Sequence, residues 1–111
     1  MRRNRKAKIV ATLGPASASP EMLEKLFLAG ADVFRINMSH TTHERMRELV
    51  AAIRAVETEF NRPIGILVDL QGPKLRVGVF AAGSEELVEG AKFRLDLDPA
   101  EGDVTRVCLP H

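Results

Sequence analysis

The chain has a single cysteine, Cys108, among its 111 residues. It cannot form an internal disulfide, no partner lies at metal-ligand spacing, and the residue reads as a small, half-buried apolar side chain. Charge of one sign is also missing: 16 Lys and Arg against 15 Asp and Glu leave a net +1, which gives no reason to expect a nucleic-acid partner. The apolar runs stop well short of the roughly 18 residues of a membrane span, and no apolar signal segment follows the basic start. Membrane insertion and secretion are therefore unsupported, and cytoplasm is the expected compartment. There is no internal repeat or low-complexity segment. The length falls short of the about 250 residues of a closed (β/α)8 barrel. What remains, 45% hydrophobic and 28% charged residues, is the balance of a soluble globular domain rather than of a disordered chain.

Five basic residues (Arg2, Arg3, Arg5, Lys6, Lys8) crowd the start, so residues 1–7 read as a solvated, partly disordered tail in preference to a phosphate-binding arm. From there to residue 69 short β-like runs alternate with helical patterns, the signature of βαβ units and a parallel sheet. The first strand is expected over residues 8–13. Ser19-Pro20-Glu21 supplies an N-cap, a first-turn proline and an early acid, and Met22, Leu23, Leu26 and Phe27 recur at helical spacing until Gly30. The second strand spans residues 33–38. Thr41-Thr42-His43-Glu44 has the form of a capping box, followed by an apolar stripe of Met46, Leu49, Val50, Ile53, Val56 and Phe60. The third strand, residues 64–69, is apolar enough to be buried on both faces. Right-handed crossovers set the three strands side by side. After Gly72-Pro73 the pattern changes to short strand-like runs at 75–80, 86–97 and 104–109, read as an antiparallel β module that ends without a closing element. The expected boundary falls near residues 72–74.

Ligands of α/β sheets gather at the carboxyl ends of the strands. In the second strand a period of two puts Val33, Arg35 and Asn37 on one face, with Ser39 following, and Phe34, Ile36 and Met38 on the other. Arg35 needs an anionic ligand or an internal carboxylate, Asp69 or Asp32, and the spacing does not choose between them. Asp69 closes an apolar run and requires a cation, an arginine or a capping role, of which capping is favoured. His40 and His43 lack a third ligand for zinc. Gly14-Pro15-Ala16-Ser17 and Gly72-Pro73-Lys74 lack the glycine spacing of phosphate-binding loops.

Together, Lys8 through Ser17, Arg35-Ile36-Asn37-Met38-Ser39-His40 and Asp69-Leu70-Gln71-Gly72-Pro73-Lys74-Leu75-Arg76 closely resemble three ordered motifs of the pyruvate kinase family. The resemblance covers nearly the whole chain after the basic tail. It implies an α/β fold: a partial TIM (β/α)8 barrel of three strands and two helices over residues 8–72, followed over 73–111 by the start of an antiparallel β lid domain. It also implies phosphoryl transfer from phosphoenolpyruvate to ADP in a homotetrameric enzyme using Mg²⁺ and often K⁺. On matching positions, Arg35 resembles the arginine that contacts the substrate phosphoryl group. Asn37, Ser39, Asp69 and the carbonyl of Leu70 resemble the monovalent-cation ligands, and Asn37, Met38, Ser39, His40 and Arg76 the nucleotide contacts.

The commonest family pattern reads Asp-Thr-Lys-Gly-Pro-Glu where this chain has Asp69-Leu70-Gln71-Gly72-Pro73-Lys74. An ammonium at Lys74 supplies the positive charge that K⁺ otherwise brings, so a K⁺-independent site is expected. The family's transfer lysine and divalent-metal carboxylates belong to later barrel strands, so the 111 residues alone are expected to be inactive. The abrupt ending favours a segment of a longer enzyme over the alternative, a non-catalytic remnant that self-associates or binds phosphorylated ligands.

Overall fold

The computed structural model describes residues 2–110; Met1 and His111, the outermost residues of the expected tail and β module, lie outside them. The chain forms two compact units, one ending at Gln71 and one starting at Gly72.

In the first unit, β1 (Val10–Leu13), β2 (Val33–Asn37) and β3 (Gly65–Asp69) form a parallel sheet in the order β1-β2-β3. Helices α1 (Pro20–Ala29) and α2 (His43–Phe60) make the two crossovers. Ser19 caps α1, its hydroxyl accepting from the Met22 N–H at 3.2 Å, with Pro20 pre-set for the first turn. Gly30, at φ 131°, ends it in a backbone conformation that side chains rarely adopt. The capping box does not form. Thr42, not Thr41, is the N-cap of α2 and accepts from Arg45, which leaves Glu44 one position too early to reach back.

Both helices cover one sheet face. Leu23, Phe27, Phe34, Ile36 and Ile53 are fully buried there, and Leu13, Leu49, Val56 and Ile64 nearly so. Each such side chain contributes about 1.5–3 kcal/mol by leaving water. The rings of Phe27 and Phe60 tie α1 to α2 with centroids 5.3 Å apart. The other face is open. The expected two-sided burial of the third strand is wrong: Leu67 is 44% and Val68 36% exposed, because β3 is an edge strand and Leu67 shares the open face with its register partner Arg35.

The basic start is solvated only in part: Arg2, Asn4, Lys6 and Ala7 are exposed, but Arg3 and Arg5 are docked. The Arg3 guanidinium lies 4.9 Å from the Phe27 ring centroid and donates to the carbonyls of Ala31 (2.9 Å) and Phe27, while Arg5 donates to that of Gly30. Helix α1 has no basic residue in its own last turn, so these arginines bring positive charge and additional donors to its C-terminal end. Both also meet Asp32, at 3.4 and 2.8 Å, and Arg62 lies 3.6 Å from the same carboxylate. The Ile9 N–H donates to Asp32 at 2.8 Å; with the Arg5 contact, this holds the carboxyl at about 2, below its ordinary 3.8.

The second unit differs from expectation. Its strands, β4 (Arg94–Asp96) and β5 (Arg106–Cys108), are parallel, as is an isolated bridge between Phe80 and Gly102; the expected antiparallel pairing is not found among the described residues. The reason lies in the connection. Asp96, Asp98 and Asp103 each accept a backbone N–H two residues on, and the resulting turns carry the chain around the Arg106 side chain and back to the same end. Arg106 bonds both oxygens of Asp96 and the carbonyls of Asp98, Ala100 and Glu101. A Cβ on Gly102 would come within 2.7 Å of Val107, so only glycine fits at the bridge. Residues 75–79 are not a strand, and Leu75, Val77 and Val79 are exposed.

Candidate functional site

Register builds the site. Thr12, Arg35 and Leu67 are partners across the sheet, and Asn37 pairs with Asp69 one step further along. Phe34 and Ile36 are buried under the helices, so the period of two turns Arg35 and Asn37 to the open face.

Of the two internal carboxylates, the structure brings Asp69 to Arg35. Arg35 donates to Asp69 Oδ2 through Nε at 3.2 Å and also through Nη2, while its Nη1 donates to Thr12 Oγ1 at 3.3 Å. Asp32 is engaged instead by the arginines at the opposite end of the strands. Asp69 is neither buried nor a cap: its side chain is 47% exposed and that of Arg35 29%. A pair this open adds at most about 1 kcal/mol to stability, so its main effect is to orient the guanidinium. Three of the five guanidinium N–H groups are engaged, which leaves one on each terminal nitrogen.

The turn after β2 lies against the end of β3. The Met38 N–H donates to the Asp69 carbonyl at 3.0 Å, and Gln71 Nε2 donates to the Met38 carbonyl at 3.0 Å. Within the turn the Ser39 N–H donates to Asn37 Oδ1 at 3.1 Å and the His40 N–H to the Asn37 carbonyl at 3.2 Å. Arg35, Asn37, Met38, Ser39 and Asp69 are thus gathered at one rim, with His40 exposed beside them and Leu70 75% exposed. Lys74 and Arg76 are exposed residues of the second unit. Sequence reasoning assigned no role to Thr12 or Gln71. Thr12 was accessible in principle, being the one polar residue in an apolar strand whose in-register neighbour is Arg35.

Oxygen donors dominate the rim: the Asp69 carboxylate, the Asn37 amide, the Ser39 hydroxyl and nearby carbonyls, a set that suits a hard cation. Among the described residues no group of three or more His, Cys, Asp or Glu side chains is clustered to hold a metal ion. Among the described residues no helix is long and apolar enough to cross a membrane.

The family model for the pyruvate kinase barrel domain matches residues 4–107. Over 111 residues the chain is 62% identical to a pyruvate kinase of Methylorubrum extorquens, covering all of the chain and 23% of that enzyme. A pyruvate kinase of Agrobacterium vitis is 49% identical over 113 residues, again 100% of the chain and 23% of the relative. Pyruvate kinase 2 of Synechocystis is 48% identical over 99 residues, 87% of the chain and 17% of the relative. The chain therefore spans less than a quarter of the length of these relatives. With three motifs in order, a parallel sheet that gathers two of them at one rim, and a family model matched over nearly its whole length, this chain belongs to the pyruvate kinase family.

Proposed function

We propose that the chain acts as the N-terminal segment of a pyruvate kinase, contributing one wall of the site where phosphoenolpyruvate transfers its phosphoryl group to ADP. In that reaction the bond between phosphorus and the enol oxygen breaks, a bond to the terminal oxygen of ADP forms, and the enolate left behind takes a proton at carbon to give pyruvate. The observation that carries the reading is the guanidinium of Arg35 held at a strand end with one N–H free on each terminal nitrogen. Such a fork matches two phosphoryl oxygens, and its fixed charge offsets the charge that develops in transfer.

The remaining roles follow the motif positions. Asn37, Ser39, Asp69 and the Leu70 carbonyl hold the monovalent cation, or Lys74 stands in for it; Asn37, Met38, Ser39, His40 and Arg76 contact the nucleotide. Mg²⁺ is held by residues outside these 111, the assembly is a homotetramer, and the compartment is cytoplasm. Residues 8–72 belong to the barrel domain and residues 73–111 to the start of the lid domain.

The test is a chimera in which these 111 residues replace the homologous segment of the Methylorubrum extorquens enzyme. It is expected to turn over phosphoenolpyruvate in K⁺-free buffer with Mg²⁺, and Arg35→Ala to lower kcat/KM at least a hundredfold, while the isolated 111 residues give no turnover. An Arg35→Ala chimera as active as its parent overturns the reading of the site. Many-fold activation by KCl overturns the role of Lys74 alone.

A further inference from the structure

We infer that Thr12 is a positioning residue for Arg35, fixing the plane of the guanidinium that contacts the phosphoryl group. The inference rests on the reading of Arg35 just given.

The contact to Asp69 cannot set that plane by itself. Nε and Nη2 both converge on a single oxygen, Oδ2, rather than each meeting its own carboxylate oxygen in the parallel two-bond arrangement that aligns the two planes. A guanidinium held at one point pivots about it. The second anchor comes from the opposite neighbouring strand. Thr12 is the register partner of Arg35, and its Oγ1 accepts from Nη1 at 3.3 Å. Arg35 is thereby strung across the open face between a hydroxyl on β1 and a carboxylate on β3, and two anchors on opposite sides stop the pivot.

Thr12 is itself held. Ser17 Oγ lies 3.2 Å from the Thr12 carbonyl as a donor and accepts from the Gly14 N–H at 2.8 Å, so the turn after β1 pins the backbone that carries the hydroxyl. Valine and alanine at position 12 preserve strand geometry but accept no hydrogen bond; serine does accept one.

The experiment uses the chimera. Thr12→Val is expected to lower kcat/KM for phosphoenolpyruvate about tenfold, the scale of a hydrogen bond to a charged group, with the loss in KM for phosphoenolpyruvate and KM for ADP unchanged. Thr12→Ala is expected to match it and Thr12→Ser to recover activity to within about twofold, since only the hydroxyl matters. Added to Arg35→Lys, Thr12→Val is expected to cost nothing further, because a residue that acts through the guanidinium has nothing left to align. Unchanged kcat/KM in Thr12→Val, an alanine variant that behaves like the parent, a serine variant as poor as valine, or full additivity with Arg35→Lys each overturns the inference. If Arg35→Ala also leaves turnover intact, it is the reading of Arg35 that has failed; if Arg35→Ala abolishes turnover while Thr12→Val does nothing, only the role of Thr12 has.

Discussion

The two units of this chain solve the same problem differently. Among the described residues, the first puts ten apolar residues into one cluster between two helices and a sheet, whereas in the second only Val107 and Cys108 are buried among the apolar side chains. The second is organised by a guanidinium instead: Arg106 gathers Asp96 and three carbonyls, and this contact holds the Asp96 carboxyl well below the usual carboxylate range. Burial is cooperative and non-directional, so the first unit tolerates an open face. A charge-centred turn is directional and local, so the second depends on a few bonds.

The largest effect that separates them is expected in the apolar core. Phe34→Ala removes a fully buried ring and should destabilise the first unit by about 3–5 kcal/mol, enough to lose the helical circular-dichroism signal in low denaturant. An unchanged midpoint would mean that the sheet is not held by this core. Arg106→Ala, next in size, should raise amide hydrogen exchange across residues 94–108 while helix exchange stays put. Equal acceleration in both units would erase the contrast between them.

The smallest effect sharpens the comparison at a charged spot in the first unit. Asp32 has a carboxyl depressed from 3.8 to about 2, so its stabilising contribution is complete above pH 4 and disappears as the pH falls toward 2. Asp32→Asn should be less stable at neutral pH and should lose stability less steeply across that window. An acid limb as steep as the parent's would show that other carboxylates govern it.

Much of the first unit was readable from residue types. Ser19-Pro20 and Gly30 bound a helix through local chemistry, and the alternation in residues 33–37 sorts Phe34 and Ile36 from Arg35 and Asn37 whatever the tertiary context. The partner of Arg35 was not readable, since Asp32 and Asp69 are both acids within reach of a sheet and only register separates them. The order of the arginines near the start was equally opaque: their ligands are helix-end carbonyls, which no side-chain pattern announces. In the second unit the apolar alternation of residues 75–79 promised a strand, but that segment meets the rest of the unit only through isolated bonds such as Gly78 N–H to the Cys108 carbonyl and Gly102 N–H to the Val79 carbonyl, and Asx turns set the direction of β4 and β5.

One consequence concerns anyone who trims this protein. Terminal residues are usually expendable, yet Arg3 and Arg5 are the counter-charge for the last turn of α1, and Arg3 also roofs Phe27. Cutting them away would bare an aromatic face and strand Asp32 in a nearly dry niche facing Arg62, so a tag or a protease site is better placed elsewhere.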